Sequence, residues 1–151
     1  MMIRIVAVGK IKENFFTQAI DEYSKRLSGY YKLQIVEVAD EKCDDKTLEK
    51  EADKILRHLK ETDYVIALAI KGLKFSSEGF AEKIRQLELE GKSNITFVIG
   101  GSLGLSKRVI DRADLKISFS DMTFPHQLMR VILLEQIYRA CKINRNEPYH
   151  K

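Results

Sequence analysis

Tyr64-Val65-Ile66-Ala67-Leu68-Ala69-Ile70 is an unbroken apolar run, and Ile95-Thr96-Phe97-Val98-Ile99 is a second, interrupted only by one threonine. Runs of this length, rich in β-branched residues and lacking polar alternation, read as strands covered on both faces. The segments around them have a different period. From Glu13 to Leu27, Phe16, Ile20, Tyr23 and Leu27 recur at helical spacing, and from Lys46 to Leu59 so do Leu48, Ala52, Ile55 and Leu59. Phe80, Ile84 and Leu87 mark a third helix, Lys107 to Arg112 a short fourth, and Pro125 to Cys141 a last one. Ile3–Val8, Leu33–Val38 and Leu115–Phe119 complete the set of expected strands. Strands separated by helices predict an α/β fold with a parallel sheet, because a parallel neighbour needs a crossover connection.

The chain has 151 residues, 44% hydrophobic and 32% charged, without repeats or linker-like stretches. One domain over residues 1–151 is the expectation. Cys43 and Cys141 form no CxxC, and His58, His126 and His150 are scattered, so neither a disulfide scaffold nor a metal site is expected. No stretch approaches the roughly 20 apolar residues of a membrane span, and the opening MMIRIVAV lacks a cleavage pattern. A cytoplasmic protein without membrane attachment is the simplest expectation. The net charge is +4, and it is uneven: Arg139, Lys142, Arg145 and Lys151 face Glu147 alone in the last thirteen residues. A basic end on a near-neutral body points to an anionic partner.

Ligands of parallel sheets bind beyond the carboxyl ends of the strands. Three such ends stand out: Lys71-Gly72, the loop 100–104, and 119–124. The loop Gly100-Gly101-Ser102-Leu103-Gly104 lets a ligand approach the main chain, or simply makes a tight turn, with Ser106 placed to cap the next helix. Its spacing is neither GxGxxG nor that of a P-loop, and no carboxylate ends the following strand to hold a ribose. A cofactor held mainly by backbone groups fits better than a nucleoside triphosphate or a dehydrogenase dinucleotide.

Pro125 suits the first turn of the last helix. That helix is apolar almost all round, which makes it a core helix, an oligomer contact, or both. Arg139 lies four residues after Glu135, so a helix salt bridge competes with substrate binding as its role. His126 reads as a capping or packing residue or as a base. Met122 and Phe124 read as loop anchors or as an adenine lining. The tail Asn144-Arg-Asn-Glu-Pro-Tyr-His-Lys151 mixes cations, amides and an aromatic, a combination suited to RNA, although composition alone favours a frayed terminus.

Together, Ile99-Gly-Gly-Ser-Leu-Gly-Leu-Ser106, Met122-Thr-Phe-Pro-His126, Arg130 with Leu134-Glu-Gln-Ile-Tyr-Arg-Ala140, and Asn146-Glu-Pro-Tyr-His-Lys151 resemble the RlmH family, small SPOUT-class methyltransferases of large-subunit ribosomal RNA. The resemblance spans essentially the whole chain, including Ile5-Val-Ala-Val-Gly9. It implies a parallel-sheet SPOUT fold with a C-terminal trefoil knot, a homodimer, S-adenosyl-L-methionine as cofactor, and methylation of N3 of pseudouridine 1915 in 23S rRNA on the ribosome. By position it implies a cofactor pocket of Leu68, Gly72, Gly100, Gly101 and Gly104, together with Phe119, Ser120, Asp121, Met122, Thr123 and Phe124. It assigns His126, His150 and Arg139 to catalysis. It assigns Arg130, Arg139, Lys142, Arg145, Tyr149 and His150 to the RNA. One departure is Leu68-Ala69-Ile70-Lys71-Gly72, where many relatives have an acidic residue after the leucine and a proline before the glycine.

The N3 proton of the acceptor needs a destination: His126, His150 or Asp121 through water are the candidates, a histidine of the tail region is the first choice, and no base is needed if the imide ionises on binding. Three rival functions remain at this point: a SPOUT-like methyltransferase of another RNA such as tRNA, a ribosome-binding factor without catalysis, and a nucleotide-dependent dehydrogenase.

Overall fold

A computed structural model describes residues 1–151. Five strands, β1 (Met2–Val8), β2 (Lys32–Val38), β3 (Tyr64–Lys74), β4 (Asn94–Ile99) and β5 (Leu115–Ser118), form one sheet in the order β2-β1-β4-β3-β5. Every pairing is parallel. The connections carry α1 (Asn14–Leu27), α2 (Thr47–Leu56), α3 (Ser77–Leu89) and α4 (Lys107–Arg112), and α5 (His126–Asn144) closes the chain.

The two faces of the sheet are written in alternate residues. Ile3, Ile5 and Ala7 of β1, with Phe97 and Ile99 of β4, point to one side. There they meet Ile20 and Leu27 of α1, Ile84 and Leu87 of α3, and Leu133, Leu134 and Ile137 of α5. Val6 and Val8, with Val65 and Val98, point to the other side and pack on Ala52 and Ile55 of α2 and Val109 of α4. Burial on both sides explains why β1 and β4 show no polar alternation. Ser76 and Ser106 accept hydrogen bonds from the Gly79 and Val109 amides and so start α3 and α4, the second as the sequence predicts.

Several boundaries differ from expectation, among them the end of α2, which falls at Leu56 rather than Leu59. β3 continues past Ile70 to Lys74, because its ladder with β5 breaks after Leu68 and resumes at Leu73, both residues opposite Ile117. Residues 69–72 thus form an excursion from the sheet, invisible to a reading of apolar periodicity. β5 ends at Ser118, one residue early, and α5 extends to Asn144. α5 buries one face fully, with Arg130, Leu133, Leu134, Ile137, Ala140 and Cys141, and leaves the other partly open. No helix is long and apolar enough to cross a membrane.

Candidate active site

Because all five strands are parallel, their carboxyl ends share one edge, and a cleft of about 690 Å³ opens there. Its volume falls in the usual range for small-molecule sites. Three of the strands build it: the β3 excursion supplies Leu68 to Lys71, the loop after β4 supplies Ile99 to Leu105, and β5 with its following loop supplies Lys116 to Ser120 and Met122 to Phe124. His126 and Met129, on the first turn of α5, close one side.

The glycine loop is folded back on itself. Gly104 N donates to Gly101 O at 3.0 Å. A Cβ on Gly100 would lie 2.3 Å from the Gly104 carbonyl oxygen, so this crossing requires glycine. The loop after β5 is shaped by its serines: Ser118 Oγ donates to Ser120 O at 2.9 Å, and Met122 N donates to Ser120 Oγ at 3.0 Å. Ile99, Leu105, Ile117 and Phe119 make the wall apolar, and no carboxylate lines it. The only titratable groups around the cleft are Lys71, Lys116 and His126. Main-chain groups at three strand tips between apolar side chains suit a nucleoside with a sulfonium: they offer donors and acceptors for the base and ribose, and little water for the cation.

His126 has no hydrogen bond to the protein; its ring rests on the Gly9 backbone, with Nε2 3.6 Å from where a Gly9 Cβ would stand. Beneath it, Arg130 is almost wholly buried. Its Nη2 donates to Gly9 O at 3.0 Å, and its Nη1 pairs with Glu37 Oε2 at 2.6 Å. Burial pulls the guanidinium pKa down while Glu37 opposes that shift. Glu37 Oε2 also accepts from Ile11 N, so the clamp ties α5 to the loop after β1.

Several expected site residues fall elsewhere. Gly72 does not line the cleft: a Cβ there would sit 2.6–2.7 Å from the Lys116 and Ile117 backbone, so its absent side chain serves the packing of β3 on β5. Asp121 points out to solvent and pairs with Lys74 at 2.5 Å, leaving Phe119, Ser120, Met122, Thr123 and Phe124 as the lining of that loop. Arg130 is enclosed and already paired, so it presents nothing to RNA. Conversely, Ile70, Ile110, Lys116 and Met129 line the cleft without having been singled out. Met129 was legible one helical turn from His126, whereas Lys116 required knowing that β5 lies beside β3.

The tail is ordered rather than frayed. Arg139 Nε donates to Glu135 at 2.9 Å, the salt bridge its spacing predicts, and its guanidinium lies over the Tyr149 ring at 4.7 Å. Arg139 Nη1 contacts His150 Nδ1 at 3.1 Å, and His150 Nε2 contacts Glu78 Oε1 at 2.6 Å. An arginine can only donate, so Nδ1 carries the lone pair and Nε2 the proton given to Glu78. Lys142 pairs with Glu147 at 2.9 Å, which also accepts from the Tyr30 hydroxyl, and Arg145 stacks over the same Tyr30 ring. Arg139 lies thirteen residues along α5 from His126, about 20 Å at the helical rise. Within one chain, therefore, Arg139, Tyr149 and His150 come together with one another but not with the cleft.

Hydrogen bonds from His150 and from Lys142 hold the Glu78 and Glu147 carboxyls below the usual carboxylate range. A carboxylate whose folded pKa is depressed contributes above its unfolded value and loses that contribution as pH falls through the folded one. The tail should therefore stay docked at neutral pH and come loose as acid passes below about pH 4.3. Amide exchange of residues 146–150 measured across this range checks it: protection that persists unchanged at the acid end would contradict the docking contacts.

With this geometry established, known proteins supply a comparison. The family model described as "Predicted SPOUT methyltransferase" matches residues 1–150. The chain belongs to the SPOUT methyltransferase family. Among its relatives, the ribosomal RNA large subunit methyltransferase H of Clostridium novyi (strain NT) is 63% identical, with both chains covered in full. The protein of the same name from Clostridium botulinum (strain Hall / ATCC 3502 / NCTC 13319 / Type A) is 57% identical, again with full coverage of both. A solved structure described as a probable methylase family protein from Haemophilus influenzae Rd KW20 superposes with a TM-score of 0.56 at 14% identity, over 99% of this chain and 70% of that one. That likeness concerns the fold alone. Methyl transfer is the chemistry of the family to which this chain belongs.

Proposed function

We propose that this protein is an S-adenosyl-L-methionine-dependent methyltransferase that acts on large-subunit rRNA in the ribosome, at N3 of pseudouridine 1915 of 23S rRNA. It does so as a cytoplasmic homodimer of single SPOUT domains spanning residues 1–151, with the knot expected of the family. The observation that carries this reading is the apolar, carboxylate-free cleft at three strand tips in a chain 63% identical, end to end, to a relative named for this activity.

When bound, the cofactor supplies a methyl group made electrophilic by its sulfonium. The chain's part is to place it and exclude water. Main-chain groups of 68–71, 99–104 and 117–120 would hold the base and ribose, and Leu68, Ile99, Ile117, Phe119 and Phe124 would keep solvent from the sulfonium. His126, with neither ring nitrogen engaged, is available at the cleft to take the N3 proton of the acceptor. Arg139, Tyr149 and His150, about 20 Å from their own cleft, would serve the cleft of the partner in the homodimer. Arg139 would hold a phosphate, and Tyr149 would offer a ring for stacking.

Methylation of ribosomes from a strain lacking the modification, with labelled methyl donor and mass-spectrometric mapping of the product, tests the whole reading. Label on tRNA would identify another RNA substrate. Absence of label together with absence of cofactor binding by calorimetry would identify a binding factor. His150→Ala sorts the base. Its Nδ1 lone pair already faces Arg139, so single-turnover methylation at saturating enzyme should fall less than tenfold, whereas His126→Ala should lose about 10²-fold or more, as removal of a general base does. The reverse order would move the proton to His150.

A further inference from the structure

Two lysines stand at the cleft in an arrangement that the methyl donor does not explain. Lys71 lies on the β3 excursion and Lys116 on β5, and both are exposed and line the cleft. Neither side-chain ammonium makes a hydrogen bond or an ion pair within the chain. The excursion is held against β5 at this point: Gly72, next to Lys71, packs so closely on the Lys116–Ile117 backbone that a Cβ would come within 2.6–2.7 Å of it. The ladder that leaves at Leu68 and returns at Leu73, both opposite Ile117, forces the residues between them to crowd this same stretch. Two like charges are thereby fastened to adjoining backbone, on a cleft with no acidic lining residue. The nearby Lys74 has its own carboxylate in Asp121 and shows the contrast. An anion within reach of two unpaired ammonium groups gains from both.

We infer that Lys71 and Lys116 act as one site for a backbone phosphate of the RNA strand beside the acceptor base, at the mouth of the cleft. The inference rests on the RNA-methyltransferase reading of the cleft. Both side chains are exposed, which puts them at the entrance, where the polynucleotide must pass, rather than on the apolar floor. A phosphate held there positions the neighbouring base over the cleft without reading its identity.

The test is a salt series. Binding of unmodified ribosomes is measured for the wild type, Lys71→Gln, Lys116→Gln, the double variant and the double Lys→Arg variant. The substitutions are on exposed side chains, and thermal unfolding verifies that each variant is folded. The double Gln variant should lower the magnitude of the slope of log K against log salt by about 0.7 to 0.9, the share of one phosphate. Between 50 and 200 mM salt the wild type should then lose roughly threefold more affinity than that variant. The Arg variant should restore the slope, and the loss of methylation should fall on KM for ribosomes more than on kcat. An unchanged slope overturns the inference. So does a weakened affinity for S-adenosyl-L-methionine at unchanged slope, which would assign the pair to the cofactor's carboxylate. Failure of the wild type to bind the cofactor or to methylate any RNA would count against the function itself, while the salt slope would still report on the lysines.

Discussion

Gly100→Ala should leave a folded protein that no longer binds its cofactor at useful concentrations. The new methyl would lie 2.3 Å from the Gly104 carbonyl oxygen and 2.6 Å from its carbon, and both are main-chain atoms that cannot swing aside as a side chain can. The loop has to open, and with it go the Gly104–Gly101 hydrogen bond and the alignment of main-chain groups along the β4 tip. Overpacking of this kind costs roughly 1–3 kcal/mol. The loop forms the rim of the sheet and not its centre, so most of that cost should appear in the cleft, as a tenfold to hundredfold loss of affinity by calorimetry, with only a small change in the unfolding midpoint. Retention of wild-type affinity would show that the glycine crossing does not shape the binding surface.

Arg130→Ala should have the largest effect on stability. The side chain is only 1% exposed, is among the largest fully buried ones, and joins α5 to the end of β1 and to Glu37 of β2. Its removal leaves a cavity, an unpartnered Gly9 carbonyl and a carboxylate without its cation. Breaking a buried pair typically costs 3–5 kcal/mol, and Glu37 is open enough to recover some hydration, so about 2–4 kcal/mol is expected from urea unfolding. Arg130→Lys keeps the charge but cannot reach both Gly9 and Glu37 with a rigid fork, and should restore only part of the loss. A destabilisation under about 1 kcal/mol, the usual range for surface ion pairs, would mean that the clamp is no more than a surface contact.

These two residues also show what a linear sequence discloses. Gly100 could be singled out because it follows a buried strand and precedes a serine-capped helix, all within one local stretch. Arg130 could not be placed correctly, because its partners are about a hundred residues away: a cation interrupting an apolar helix looks the same whether it meets RNA or a buried carboxylate. The strands and helices were legible from periodicity, since two-sided burial leaves an unbroken apolar record. The excursion at 69–72 was not, because apolar character continues through Ile70 while the hydrogen bonding does not. Gly72 carries the same lesson. A glycine at a strand tip resembles a ligand contact, yet here it is a place where two strands touch. The tail's order was likewise hidden, because it depends on Tyr30, from the turn after α1, and on Glu78, from α3.

The carboxyl-terminal cluster has a consequence for how the molecule meets polyanions. Two of its four cations are already taken: Glu135 occupies Arg139, and Glu147 occupies Lys142. An arriving strand must evict the resident acid before it gains a foothold on either, so a random stretch of nucleic acid that reaches one of them gains almost nothing. A polyanion shaped to meet both at once would recover that cost, so the resident acids would favour a fitted partner over a casual one.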